Sequence, residues 1–136
     1  MAGLASTFST LPNFVVYFAL GGVLSGFFVV LYASLTPHHD LALIRAGNSA
    51  AAIGMVGALL GFEVPLASVI AHSAALIDVM VWGIVALIVQ LAGFLVARMV
   101  LPHLPQAIFD GNIADAVLLA GISLSLGILT AACMTG

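Results

Sequence analysis

The chain has 136 residues, 64% of them hydrophobic and 5% charged, with a mean hydropathy of +1.34. Soluble globular domains carry about a quarter charged residues, so a water-soluble fold is excluded. With two basic residues in total and a net charge of −3, no nucleic-acid partner is expected.

Apolar runs of 18 or more residues recur, each long enough to cross roughly 30 Å of hydrocarbon as a helix. An open sheet leaves its backbone polar groups unsatisfied in lipid, and the runs lack the strict alternation of an outer-membrane barrel strand. The composition therefore predicts an all-α integral membrane protein, a single membrane domain over residues 1–136 with the lipid bilayer as its solvent.

Four spans are expected. The N-terminal stretch MAGLASTFSTLPN has no Lys or Arg before its first apolar run, so the first helix is expected to be retained rather than cleaved as a signal. Span one is read from about Phe14 to Leu35, between Pro12-Asn13 and Thr36-Pro37, because proline ends helices. His38-His39-Asp40 then opens a short interfacial helix, capped by Asp40 and closed by Gly47, with Leu41 and Ile44 on one face. Span two follows Asn48 and ends near Ile70. A polar link from His72 to Asp78 leads to span three, about Val79 to Val100, which stops before Pro102. A second interfacial turn, Pro105 to Asp110, precedes Gly111-Asn112 and span four.

Arg45 lies in the first connector and Arg98 borders the third. Basic residues stay cytoplasmic, so both connectors are placed in the cytoplasm and both termini outside it. Trp82, Tyr17 and Tyr32 lie near span ends, where aromatic belts are expected.

Shifting the chain against itself by 64 positions aligns Gly47-Asn48 with Gly111-Asn112, His39 with His103, Ile44 with Ile108 and Gly57 with Gly121. The expected architecture is a tandem repeat of two helical hairpins, about 14–72 and about 78–136, related by an axis along the membrane normal. At about 100° per residue, Ala19, Gly22, Gly26, Val29 and Ala33 share a face of span one. Gly83, Ala86, Gln90, Gly93 and Ala97 share the matching face of span three. Ala50, Gly54, Gly57, Gly61 and Ser68 share a face of span two, matched by Ala114, Gly121, Ser125 and Ala132 on span four. Small residues four apart let helix backbones approach closely in lipid, so Gly22, Gly26, Gly57, Gly61 and Gly121 are predicted packing positions.

Glu63 is the only acidic residue well inside a span, about 10 Å from its outer end. Burying it charged and unpaired costs several kcal/mol. Pro65, two residues on, frees the Gly61 carbonyl and is expected to kink the helix. Structural glue and a proton or cation site are equally open readings for Glu63. Its counterpart in the repeat is Gly127, against a symmetric ring made by both halves. Gln90 lies near mid-bilayer, read as an interhelical hydrogen bond or as a pathway-lining group. Span four carries a polar stripe, Asn112, Asp115, Ser123, Thr130 and Cys133, within about 80°. Ser123 and Thr130 face a neighbour helix, line a wet cavity or bond back to their own backbone. Asn48 and Asn112 either cap the helices they open or, as paired helix N-termini, bind an anion. Asp115, at the third helical position, resembles a capping box with Asn112.

His38, His39, Asp40, His103 and Asp110 match no metal-binding spacing, and no mid-span histidine supports a haem. No metal or other cofactor is expected. Cys133 has no second cysteine to pair with. No acid, base and nucleophile set assembles, so catalysis is not expected.

Thr36-Pro37-His38, Gly47-Asn48, Gly61-Phe62 leading to Pro65-Leu66, Asp78 with Trp82-Gly83, Gln90-Leu91 and the closing Ala131-Ala132-Cys133-Met134-Thr135 together resemble the YjfL-like family, the domain of unknown function 350 class. The resemblance covers nearly the whole chain. It implies a bacterial inner-membrane protein with four helices and a tandem repeat, and no established activity. Glu63 lies outside the family pattern that the resemblance implies, which lowers its claim to a family-wide mechanism. Two functions are carried forward: a small homo-oligomeric channel or transporter for an ion or small solute, and a scaffold that docks a soluble cytoplasmic protein partner through the connectors.

Overall fold

In the computed structural model, which describes residues 2–35, 40–72 and 75–135, six helices follow one another with no strand among the described residues. They are α1 (Ala2–Leu35), α2 (Asp40–Arg45), α3 (Ser49–His72), α4 (Leu76–Val100), α5 (Leu104–Phe109) and α6 (Ile113–Thr135). Four of them, α1, α3, α4 and α6, are long and apolar enough to cross a membrane. Thr36 to His39 lie outside the described residues.

The first helix begins earlier than Pro12-Asn13 predicted, and continues through Pro12. Proline there removes one backbone hydrogen bond. Leaving the helix altogether would strand more backbone groups in an apolar setting, which costs more. Helix α3 likewise continues through Pro65. The link between spans two and three is shorter than read, since α3 reaches His72 and α4 already starts at Leu76.

Helices α3 and α6 form the closest pair. Gly54 faces Leu119, Gly57 faces Ala120 and Gly61 faces Ser123, so the two run parallel. Helix α4 lies antiparallel to α3, with Gly83 against Leu66 and Gln90 against Gly61. Helix α1 packs on α3 and α4, chiefly through one aromatic cluster. Phe28 stacks on Phe62 at 4.7 Å between ring centroids, and Tyr32 meets Phe94 edge-on at 5.4 Å. Such pairs contribute about 0.5–1.5 kcal/mol each beyond area burial. Tyr32 is therefore a core residue, 1% exposed, and not part of an aromatic belt; Trp82 is 41% exposed. The N-terminal part of α1 presents Phe8, Phe14 and Phe18 outward.

The small-residue faces divide unequally. Gly83, Ala86, Gln90, Gly93 and Ala97 of α4 are all buried, as are Ala50, Gly54, Gly57 and Gly61 of α3. Their counterparts on α6 (Ala114, Gly121, Ser125 and Ala132) are exposed, and so are Gly22 and Gly26 of α1. A Cβ at Gly22, Gly26 or Gly121 would meet no atom within 4 Å, so within one chain none of the three is a packing residue. Helix α6 instead buries Ala116, Leu119, Ser123 and Gly127. It is turned so that Ser123-x-x-x-Gly127, not Gly121, meets the glycines of α3.

The two short helices end alike. Gly47 and Gly111 have φ of 88° and 82°, the left-handed region where a side chain is strained. Gly47 N–H donates to Ile44 O (3.0 Å) and Asn48 N–H to Leu43 O (2.9 Å); Gly111 N–H donates to Ile108 O (3.0 Å) and Asn112 N–H to Ala107 O (2.8 Å). Each is a Schellman turn, and every bond of one recurs in the other at the same offset of 64. In α5, Leu104 and Ile108 are fully buried, so its apolar face closes the end of the bundle.

Candidate functional site

The polar groups inside the spans fall into two places, on different sides of α3. The first is the junction of α3, α4 and α6. Gln90, 2% exposed, donates from Nε2 to the Ser123 carbonyl (3.0 Å), and its Oε1 is buried without a hydrogen-bond donor. A Cβ on Gly61 would sit 2.3 Å from the Ser123 carbonyl oxygen and 2.9 Å from Gln90 Nε2. Backbone meets backbone here because Gly61 of α3 and Gly127 of α6 carry no side chain at the crossing. Pro65 has no N–H for the Gly61 carbonyl, and that oxygen lies directly over Gly127, 2.1 Å from where its Cβ would stand. Close Cα–H···O contact of this kind recurs at helix–helix interfaces.

Gln90 thus acts as an interhelical clamp. Gln90→Leu is expected to lower the unfolding free energy by about 0.5–2 kcal/mol, the range for interhelical hydrogen bonds in membranes. Reversible unfolding in mixed micelles measures this, and unchanged stability would show that the Ser123 bond contributes nothing net.

The second place is the seam between α1 and α3. Ser25 Oγ lies against the Glu63 carboxylate Oε1, in a short hydrogen bond, and 2.8 Å from the Gly21 carbonyl of its own helix. Glu63 is half-buried. Among the described residues no Lys, Arg or His pairs with it. Glu63 and Gly61 are two residues apart, about 200° around the helix, so the structure does not bring Glu63 and Gln90 into one cavity.

The remaining candidates separate. Thr130 Oγ1 donates to Leu126 O at 2.6 Å, one turn back. Cys133 is exposed. The stripe predicted along α6 is therefore split between a buried junction residue, Ser123, a back-bonded threonine and an exposed thiol.

At the other end, Asn48 Oδ1 accepts from Ala51 N–H (3.0 Å) and Asn112 Oδ1 from Asp115 N–H (3.3 Å), so both asparagines cap their helices. The Asn112 N–H goes to Ala107 O, so it is engaged outside the return half of a capping box with Asp115. Asn48 does more than cap. Its Nδ2 donates to Ile108 O (2.9 Å) and Phe109 O (3.2 Å), tying the start of α3 to the end of α5 across 60 residues of chain. The two turns border a hollow of about 490 Å³ lined by Gly47, Asn48, Ser49, Asp110 and Gly111. Asp110, whose Oδ1 accepts from Gln106 Nε2 (3.0 Å), gives this lining a carboxylate, which disfavours an anion. Among the described residues no three His, Cys, Asp or Glu side chains come together as a metal site; His38 and His39 lie outside those residues.

Gly93 lies on the small-residue face predicted for span three without being named a packing position, and Gly127 is predicted on no packing face. A Cβ at Gly93 would meet a Leu126 methyl at 2.3 Å. The small-x-x-x-small spacing of Ser123 and Gly127 was the available signal for α6.

Comparison with known proteins returns a family model described as Domain of Unknown Function (DUF350), matched over residues 6–134. The chain is 35% identical over 126 residues to the protein named UPF0719 inner membrane protein YjfL of Escherichia coli strain K12, covering 93% of this chain and 96% of that one. The protein of the same name from Escherichia coli O157:H7 matches equally. No solved structure matches.

Proposed function

Because this chain belongs to the family described as Domain of Unknown Function (DUF350), a helical membrane bundle is the premise, and we propose that it works as a small homo-oligomeric channel or transporter for an ion or small solute. An inner-membrane, multi-pass location follows from the name of its relatives together with its four apolar spans. The observation that carries the transport reading is Glu63. A carboxylate inside a lipid-length helix, with a hydroxyl and no described cation beside it, is a functional group by default.

The homo-oligomer is supported by what one chain leaves uncovered. Gly22 and Gly26 of α1 and Gly121 of α6 face outward. An apolar groove of about 480 Å³ runs beside the α3–α6 crossing, lined by Ile53, Val56, Leu60, Val117 and Gly121. Gly22→Leu and Gly26→Leu are expected to dissociate the oligomer while leaving the single bundle as stable as before. Sedimentation in density-matched detergent together with thermal unfolding reads both; an oligomer unchanged by either substitution would remove α1 from the interface. The two matched Gly-Asn turns support the reading of the chain as tandem hairpins, about 14–72 and 78–136. Arg45 and Arg98, both at the end of the bundle that carries these turns, support placing that end in the cytoplasm and both termini outside.

Purified protein in liposomes, assayed against a panel of ions and small solutes, tests the function. Passage of at least one above empty vesicles is expected, and none across the panel would overturn the reading. The second reading, a scaffold for a soluble cytoplasmic partner, is favoured by Phe109, 58% exposed beside Asp110 at the end of α5. Co-purification of one reproducible partner after mild solubilisation, with no transport, would favour it. No catalytic role is proposed.

A further inference from the structure

We infer that Glu63 is a reversible proton-binding site, with Ser25 as its hydrogen-bond partner in both protonation states, and hence that the ion this protein handles is the proton; the second half rests on the transport reading above. Ser25 Oγ carries one hydrogen and has two acceptors in reach, the Gly21 carbonyl at 2.8 Å and Glu63 Oε1. One hydrogen serves one of them at a time. With Glu63 ionised, Ser25 turns its hydrogen to the carboxylate. When a proton adds to Glu63 Oε1, the new O–H donates to Ser25 Oγ, and Ser25 turns its own hydrogen to the Gly21 carbonyl. The Oε1 hydroxyl and the Ser25 hydroxyl are then both hydrogen-bonded and the carboxyl carries no charge. Release reverses both steps: the proton leaves Oε1 and the serine hydrogen swings back. The same three oxygens satisfy both states with no movement larger than a hydroxyl rotation.

Among the described residues no cationic side chain compensates Glu63. Helix α1 contains no Asp, Glu, Lys, Arg or His between Ala2 and Leu35, only Tyr17 and Tyr32 among titratable groups. Of the other helices packed on α3, α2 carries Asp40 and Arg45, and α4 carries Asp78 in its first turn and Arg98 in its last. Helix α6 carries Asp115 in its first turn and Cys133 near its end, and α5 is flanked by His103 and Asp110. On α3 itself the other titratable group is His72, in the last turn, bonded to the Ser68 carbonyl. Among the described residues, none of these is bonded to Glu63. Glu63 lies about 21 Å along the helix from Ser49 and about 14 Å from His72, so these groups cluster toward the ends of the spans. The seam itself is held by α1, which is almost wholly exposed from Phe8 to Ala19 and packs on the bundle from about Gly21 onward.

Infrared difference spectroscopy of the full-length protein in lipid, titrated with pH, tests the assignment. The carbonyl stretch of a protonated carboxyl is expected to appear and vanish reversibly, and to be lost in Glu63→Gln. Ser25→Ala is expected to keep the band and move it to higher frequency, since the carboxyl O–H loses its acceptor. A wild-type spectrum with no such band, or a band unaffected by pH or still present in Glu63→Gln, would overturn the proton site. A titrating Glu63 band in vesicles that pass no ion would leave the site standing and overturn transport instead.

Discussion

Gly127→Ala is expected to be the most damaging single methyl group that the chain can acquire. The added carbon would stand 2.1 Å from the Gly61 carbonyl oxygen and 2.7 Å from Gly61 Cα. Overpacking usually costs 1–3 kcal/mol because side chains change rotamer to relieve it. No rotamer change is available here, since both partners are backbone and Gly61 is itself pressed against the Ser123 carbonyl. The helices must separate, which also breaks the Gln90 to Ser123 bond. We expect a loss of about 3 kcal/mol or more, seen as a fall in the unfolding midpoint in detergent and as loss of monodisperse protein. Gly26→Ala is the control. Its Cβ meets open space, and exchanging glycine for alanine in a helix is favourable by about 0.5–1 kcal/mol, so its midpoint should stay or rise.

The second large effect is expected at Asn48. Asn48→Ala removes a helix cap, worth about 0.5–2 kcal/mol, and also the two bonds to Ile108 O and Phe109 O, at about 1 kcal/mol each. Asn112→Ala removes only the cap to Asp115. The expected losses are about 2–4 kcal/mol for Asn48 and about 1 kcal/mol for Asn112. Paired unfolding titrations of the two variants measure the difference. Equal losses would show that the tie between α3 and α5 is not formed in the membrane.

These two sites mark what the amino-acid sequence makes readable and what it hides. Hydropathy alone specifies the four spans, because lipid demands continuous apolar helices and leaves backbone no other arrangement. The Gly-Asn turns are equally legible: a left-handed glycine followed by a capping asparagine is a local device, decided within six residues. Gly57 and Gly61 could be read as packing positions from their spacing. Gly121 misled for a physical reason. The offset of 64 transfers sequence but not rotation, and α6 meets α3 through a face displaced from the one the repeat predicts. Which side of a uniformly apolar helix faces protein is weakly encoded, since lipid and protein interior are equally apolar and only packing distinguishes them. Pro12 misled by strength of rule: proline ends helices in water, where freed backbone finds solvent. Tyr32 was placed by its nearness to a span end, whereas Phe94 and Phe28 gave it a better position inside.

The polar residues were harder to read, because the hydrogen-bond partner of Glu63 lies 38 residues away. Ser25 looks like one more small residue of α1 until α1 is laid on α3. The same is true of Gln90, whose partner is the backbone of Ser123 rather than any side chain. Both cases are long-range pairings in which one member is featureless by composition.

A protonatable carboxylate at the α1–α3 seam is proposed to carry the activity of the protein. The direct measurement is dissipation of an imposed pH gradient in proteoliposomes, comparing wild type with Glu63→Gln at equal incorporation and with equal oligomeric state. Wild type is expected to collapse the gradient faster than empty vesicles, and Glu63→Gln is expected not to. Wild-type vesicles as tight as empty ones, or a Glu63→Gln protein that leaks as fast as wild type, would contradict it.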